Sequence, residues 1–543
     1  MNGYITSKFK LMLSLLIGAG ILSIICAWYL STKLPTPRPE VKLYKELRVG
    51  LSDFGQETLI PSSGAKDEFR YHGHIYDHII GANSDGSSSI DKGILSNWKV
   101  DENYDSYILT VKPDIFWHDG TQLTAEDLIF SLKSYSLSTA ACSLCGNVND
   151  EILDARSTGD LEVQIDLVND DHRFIFKIGP AQENVPLLPR HVSDQGSTQF
   201  SVIGSGSWKY LDRDKGRSIG FEPNLHYWNK ENVPNYDGLK LIQMNDPNIR
   251  LSSLRTNEIH MAPIRLSDVD PIKSYGFNID GPKYVIAATL RFFMSYDKTY
   301  LTSNEDFRKA LIHSLDMTSI AEKIYPEEAI TLAYGSAMFD PLASGYDPDM
   351  IAYNYDPGLA QSLLTDMGYR KEPVHLISIP AYGLHEMSSF NELIAEHWRE
   401  IGINVNVIPS EYGPVKSRYS SRPQKFQDLY PAPVFHGGHI TRPGGIVNSI
   451  ERYLTPSRNS LMAFPDLDYG ENLLDEILGI HSETELESRL KRLNIDLFNR
   501  YWAMPTFWRH EVWALDSAIS DWKPTDGTMS SLHFETVKPA TIK

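Results

Sequence analysis

Segments with a two-residue period and segments with the roughly 3.6-residue period of a helix alternate along this chain, which confines it to an α/β architecture. "ELRVGL", from Glu46, reads as a short strand, and "SYILTVKP" (Ser106–Pro113) and "LEVQIDLV" (Leu161–Val168) alternate as strands do. Tyr71–Ile80 carries apolar and aromatic residues at helical spacing. After the Asp119-Gly120 turn signal, Thr124 can cap a helix whose first turn holds Glu126 and Asp127, where the helix dipole favours acids. "GSGSWKYL" followed by "SIGFEP" reads as a glycine turn feeding a β-hairpin. Phe307–Tyr325 reads as one amphipathic helix burying Ala310, Leu311, Leu315, Ile320 and Ile324. In a further helix Asp356 is the cap, Pro357 the first turn and Gly368 the stop. "NELIAEHWREIGINVNVIP" is a helix turning into a strand, and Asn472–Leu478 and Glu483–Tyr501 are helical. "MPTFWRHEVWAL" reads as a final strand region. At 543 residues the chain outgrows a single core, so at least two lobes are expected.

Charge and motifs exclude several functions. Lys and Arg number 51 against 70 Asp and Glu, a net −19, and such a surface repels phosphate backbones, so nucleic acid is not an expected partner. The balance suits a soluble domain or a cationic ligand without choosing between them. No H-E-x-x-H, G-x-S-x-G or phosphate-cradling G-x-x-x-x-G-K-[ST] occurs, and nothing points to an enzyme.

Leu11–Leu30 is uncharged, mostly apolar, and about the roughly 20 residues that cross a bilayer. Lys8 and Lys10 precede it, as in a signal sequence. Cleavage after Ala27 would free the protein, whereas retention would anchor it by residues 11–30; the sequence leaves both open. Cys26 follows Ser23-Ile24-Ile25, which does not suit lipid attachment. Prolines at 35, 37 and 39 make residues 31–40 a stiff spacer. Cys142 and Cys145 form a C-x-x-C pair with no second pair to complete a metal site and no thioredoxin-like context, and a local disulfide is the favoured reading.

Six stretches occur in one order. They are "ILSNWKVDENYDSYILTVKPDIFWHDGTQLTAEDLIFSLKSY", "GSGSWKYLD" with "FEPNLHYW", "FRKALIHSLDMTSI", "YDPGLAQSLLTDMGY", "HWREIGINVNV" and "AMPTFWRHEVWAL". Together they resemble the extracytoplasmic solute-binding proteins of the oligopeptide, dipeptide and nickel ABC importer family, over about Glu46 to Lys523. The resemblance implies a two-lobed periplasmic-binding-protein-like fold (cluster C, with an extra subdomain) joined by hinge strands. Lobe I would combine 41–85, 205–290 and 505–543, with 86–204 as its subdomain, and lobe II would be 291–504. It further implies a monomeric, periplasmic substrate-binding component that captures a peptide or other small polar solute. The solute would then pass to an ABC permease with its ATPase, with no cofactor. A membrane-tethered sensor or chaperone of the same fold is the alternative reading; opine, sugar-phosphate and nickel- or metal-chelate binding rank below it. His118-Asp119-Gly120 is explained as turn geometry, and Arg308 and Asp316 as packing and capping residues.

The site is where the chain departs from that family. Peptide-binding members carry a W-G-A-D-Y-x-D-P-like segment whose Asp holds the peptide ammonium; the corresponding stretch here is "PAPVFHGGHITRPGG" (Pro431–Gly445), without the acid. His436, His439 and Arg442 stand among glycines instead. An Arg fork and glycine backbone suit an anionic or polar group, which demotes free peptide unless Asp428 or Glu411 substitutes. The same stretch read as a surface turn is the alternative. By resemblance to nickel-binding relatives, Trp117, Cys142, Cys145, Glu183 and Asn184 would lie near the cleft, while two histidines are too few for a closed metal site.

Overall fold

The computed structural model describes residues 44–63, 68–136, 151–171, 174–179, 185–193, 202–294, 300–379, 386–411, 432–440, 446–455, 467–480, 482–528 and 532–540. Tyr44–Thr541 form one compact unit. The expectations on residues 11–30, Cys142, Cys145, Glu183, Asn184, Asp428 and Arg442 fall outside the described residues.

Two large sheets dominate the unit. The first has seven strands in the order Asn278–Asp280, Trp513–Leu515, Met261–Pro263, Glu46–Leu51, Gly238–Gln243, Ser218–Pro223 and Trp208–Asp214. Its centre is parallel: Glu46–Leu51 runs with both Gly238–Gln243 and Met261–Pro263. A four-stranded antiparallel sheet, Leu95–Val100, Ser106–Val111, Glu162–Leu167 and Ile152–Gly159, shares its apolar core. In Ser106–Val111 every second side chain is buried, and Tyr107, Leu109 and Val111 join Leu47, Val49 and Trp513 in that core. The pleat turns an alternating sequence into one apolar face. The expected hairpin is present as Trp208–Asp214 against Ser218–Pro223.

The second sheet has six strands in the order Ile330–Leu332, Ala503–Arg509, Ile286–Phe292, Pro433–Ile440, Val374–Ile379 and Val405–Pro409. Helix Met387–Glu400 lays Phe390, Ile394 and Trp398 onto it, and the Trp398 indole N–H donates to the Leu311 carbonyl at 2.9 Å. Asp356 caps helix Pro357–Asp366 through the Leu359 amide, with Pro357 in the first turn and Gly368 at φ +71°, as the sequence indicates.

Three expectations need correction. Phe307–Tyr325 is two helices, Glu305–His313 and Met317–Glu322, because Asp316 accepts from the Ser319 amide and starts a new helix where one was expected to continue. Ile324 is in consequence only partly buried. "MPTFWRHEVWAL" is two strands in different sheets, Ala503–Arg509 in the second and Trp513–Leu515 in the first. The chain therefore passes between the sheets at 281–285 and 510–512, a few residues from the expected boundaries at 290/291 and 504/505. Arg308 is a packing residue as expected: buried, it donates to the carbonyls of Thr302, Ser303, Arg500 and Tyr501.

Burial fixes the charge state of several histidines. It pushes His72 and His510 down to about 4, and His260 and His436 to about 3. Each is neutral in the fold but titrates near 6.5 when unfolded, so its contribution is complete above pH 6.5 and is lost as pH falls toward 3–4. Asp77 and Asp340, raised by burial to about 6 and about 7, act oppositely, since protonation relieves them as pH falls. The histidines outnumber these acids, so melting temperature should hold above pH 7 and drop between pH 6.5 and 4. A melting temperature that stays level or climbs over that interval contradicts the assignment.

Candidate functional site

The passages at 281–285 and 510–512 lie side by side. The Glu511 amide donates to the Pro282 carbonyl at 2.9 Å, Val285 to Arg509 at 2.9 Å, and Ile264 to Val512 at 2.9 Å. Gly281 makes the close approach possible. Its φ is +144°, and a Cβ there would sit 2.0 Å from the Glu511 carbonyl oxygen, closer than any side chain can come. Glu511 is held from the first sheet's side: Arg70 pairs with it at 2.8 Å, and the Trp513 indole donates to its other oxygen at 3.0 Å.

His510 turns toward the second sheet. Its Nδ1 accepts from the Tyr284 amide at 3.4 Å, which leaves the proton on Nε2, 2.9 Å from the Thr331 hydroxyl. Tyr284, at φ +53°, stands edge-on to Trp508 at 6.0 Å, and Tyr346 does so at 5.9 Å. With Ala287 and Ala333 these rings form a small aromatic cluster beside the passage.

Strand direction brings further chain ends to this edge. Pro433–Ile440 runs parallel to Val374–Ile379, which runs parallel to Val405–Pro409, and Ile440 pairs with Ile286, the first residue after the passage. The carboxyl ends of three parallel strands thus open at the edge where the chain leaves for the other sheet. In open α/β sheets that is where ligands bind.

The expected site residues separate. Pro433–Ile440 is a strand, so the first half of the anticipated glycine loop is part of the sheet. His436 is fully buried on it; its ring nitrogens meet Asn391 Oδ1 and, at 3.1 Å, Thr506 Oγ1, and the Thr506 hydroxyl donates to the Ala288 carbonyl at 2.9 Å. That corrects the expectation: His436 braces the second core, with both nitrogens occupied. Of His439, the backbone pairing with Ala287 is described. Trp117 is 2% exposed and packs into the first core, which also corrects its placement at a cleft wall. His118 holds the backbone around Gly204 and Gly206, Asp119 accepts from the Thr121 amide, and Gly120 takes φ +88°, as expected of turn residues. Glu411 is exposed. Sequence reasoning passed over Gly281, His510 and Glu511; the signals were the Gly281-Pro282 turn pair ahead of the apolar strand Ile286–Phe292 and the polar break Arg509-His510-Glu511 inside a run of buried residues.

A model of the bacterial extracellular solute-binding proteins, family 5 (middle region), matches residues 90–430, well over half of the chain. The chain belongs to that family. Among members of family 5, the dipeptide-binding protein of Escherichia coli is 20% identical over 362 residues, covering 60% of this chain and 65% of its own length. The oligopeptide-binding protein AppA of Bacillus subtilis is 24% identical over 278 residues, 49% of each. The matches thus span about half to two thirds of these relatives. The structure of HbpA2 from Haemophilus parasuis superposes with a TM-score of 0.75 at 17% identity, covering 91% of this chain and all of the other, which establishes the shared fold.

Replacing Gly281 by Ala forces the two passages of this family 5 protein apart. The variant should lose about 2 kcal/mol or more of stability, measured by urea unfolding, because both the φ and the space are denied to a Cβ. A variant as stable as the parent shows that the passages do not constrain each other.

Proposed function

We propose that this protein is the substrate-binding component of an ABC importer, catching a small solute between two lobes and presenting it to a permease with its ATPase. The observation that carries the reading is the double passage at 281–285 and 510–512, where, among the described residues, the chain crosses between the two large sheets. Two bodies joined by two adjacent strands can swing, and a ligand touching both stabilises the closed form by its added contacts. The lobes correspond to the seven-stranded sheet with its four-stranded partner and to the six-stranded sheet. The names of the relatives, dipeptide- and oligopeptide-binding proteins, support a peptide or peptide-like solute. The apolar run 11–30 supports action outside the inner membrane, with the protein either released or anchored there. The reading assigns no chemistry to the site: the protein holds and releases, as a monomer.

Arg442 is the anchor in this reading. It follows Ile440, the end of a parallel strand at the passage edge, by two positions, and its fork suits the carboxylate of a peptide or a comparable anionic group. Calorimetric titration with di- and tripeptides should give saturable binding, and Arg442→Ala should weaken it about tenfold or more, the scale of a charge-assisted pair. Equal affinity in the variant removes Arg442 from the site, and no binding of any peptide removes peptides from the solute class.

A further inference from the structure

A cavity lies beside the first sheet. It holds about 510 Å³ and is lined by Tyr76, Asp77, Asn235, Thr525, His533 and Glu535 among others. Two buried carboxylates line it, Asp77 at 6% and Glu535 at 5% exposure. Asp77 is fully engaged, accepting from the Tyr227 hydroxyl at 2.8 Å and the Trp228 indole at 2.9 Å. Glu535 is half engaged. One oxygen lies 2.7 Å from His533 Nδ1, while Oε2 has no hydrogen bond among the described residues and lies 3.7 Å from His74 Nδ1. Burial alone would raise the Glu535 carboxyl, yet the charge and hydrogen bond of His533, with His74 beside it, hold it well below the usual range. Thr525, 2% exposed, also lines the cavity, and its hydroxyl has no partner among the described residues. Two buried acceptors without donors are a cost the fold carries unless something donates to them.

We propose that this cavity binds a compact organic cation through a primary ammonium group. The ammonium supplies several N–H donors where Glu535 Oε2 and the Thr525 hydroxyl lack them, and the rings of Tyr76 and Tyr227 on the lining favour a cation. The buried carboxylates Asp77 and Glu535 disfavour an anion; of the three lysines on the lining, Lys92 is matched to Glu231 at 3.9 Å and Lys538 to Asp521 at 3.6 Å, which leaves Lys523 as the lysine without an ion pair among the described residues. A coordinated metal is disfavoured because, among the described residues, no group of three or more His, Cys, Asp or Glu is placed to hold one. This site is independent of peptide capture and of Arg442.

Calorimetry with methylammonium, putrescine and magnesium chloride on the full chain tests it. Both amines should bind saturably at one site, and magnesium should not. Glu535→Gln should weaken amine binding about tenfold or more, and Thr525→Val, which leaves the Glu535–His533 contact in place, several-fold. Arg442→Ala should leave amine binding unchanged, which separates this site from the peptide site. Should Glu535→Gln fail to fold, Thr525→Val decides alone. The proposal is overturned if neither amine saturates, if magnesium binds in their stead, if folded Thr525→Val binds as the parent does, or if Arg442→Ala abolishes the binding.

Discussion

The contact between Gly281 and the Glu511 carbonyl is the constraint on which the arrangement rests. Each sheet has its own core, and two short backbone passages that touch with no side chain between them carry the chain from one to the other, while Leu266 and Val269 from the first sheet's side pack into the second core and Lys273 pairs with Glu328. Backbone hydrogen bonds from Glu511 to Pro282 and from Val285 to Arg509 couple the passages, so that neither turns without the other. Arg70 and Trp513 fix Glu511 to the first sheet, while His510 reaches Thr331 and Tyr284 on the other side. Adjacent residues of one passage thus answer to different sheets. That is a geometry for hinging: stiff on each side, with the freedom confined to a few dihedrals.

Charge burial separates residues that hold the fold from residues that could hold a solute. His436 and Arg308 are costly to bury, and each meets its cost with close partners: Thr506 and Asn391 for the first, four carbonyls for the second. Such side chains have no capacity left for a ligand. Glu535 Oε2 and the Thr525 hydroxyl show the opposite condition, polar atoms in the interior with nothing donating to them.

Local rules read from the sequence held where a residue acts on its near neighbours and no rival signal competes. Asp356, Pro357 and Gly368 set a helix through contacts within its own turns, and the alternation of Ser106–Val111 set a strand through the pleat. They failed where a rival local signal overrides them or a distant partner decides. The helix at Phe307 stops because Asp316 prefers to cap, a choice that periodicity alone does not reveal. Ala503–Leu515 read as a strand region with no division marked in it; which sheet takes each half depends on Ile286–Phe292 and Met261–Pro263, far away in sequence. His436 next to two glycines suggested a loop, but glycines also sit in strands against close neighbours, and Gly437 has Ile379 beside it. The family was legible from the order of its motifs, whereas the cavity at Glu535 gathers residues from three distant stretches and left no motif to read.

The central claim is that the two sheet bodies move toward each other about the paired passages when a solute is held. Spectroscopic labels at the exposed positions Leu225 and Ile351, one on each body, report that motion directly as a distance distribution. The account predicts a broad distribution without solute that narrows and shifts on adding a saturating mixture of small peptides, and returns on dialysis. A distribution that is the same with and without a solute shown to bind would contradict it.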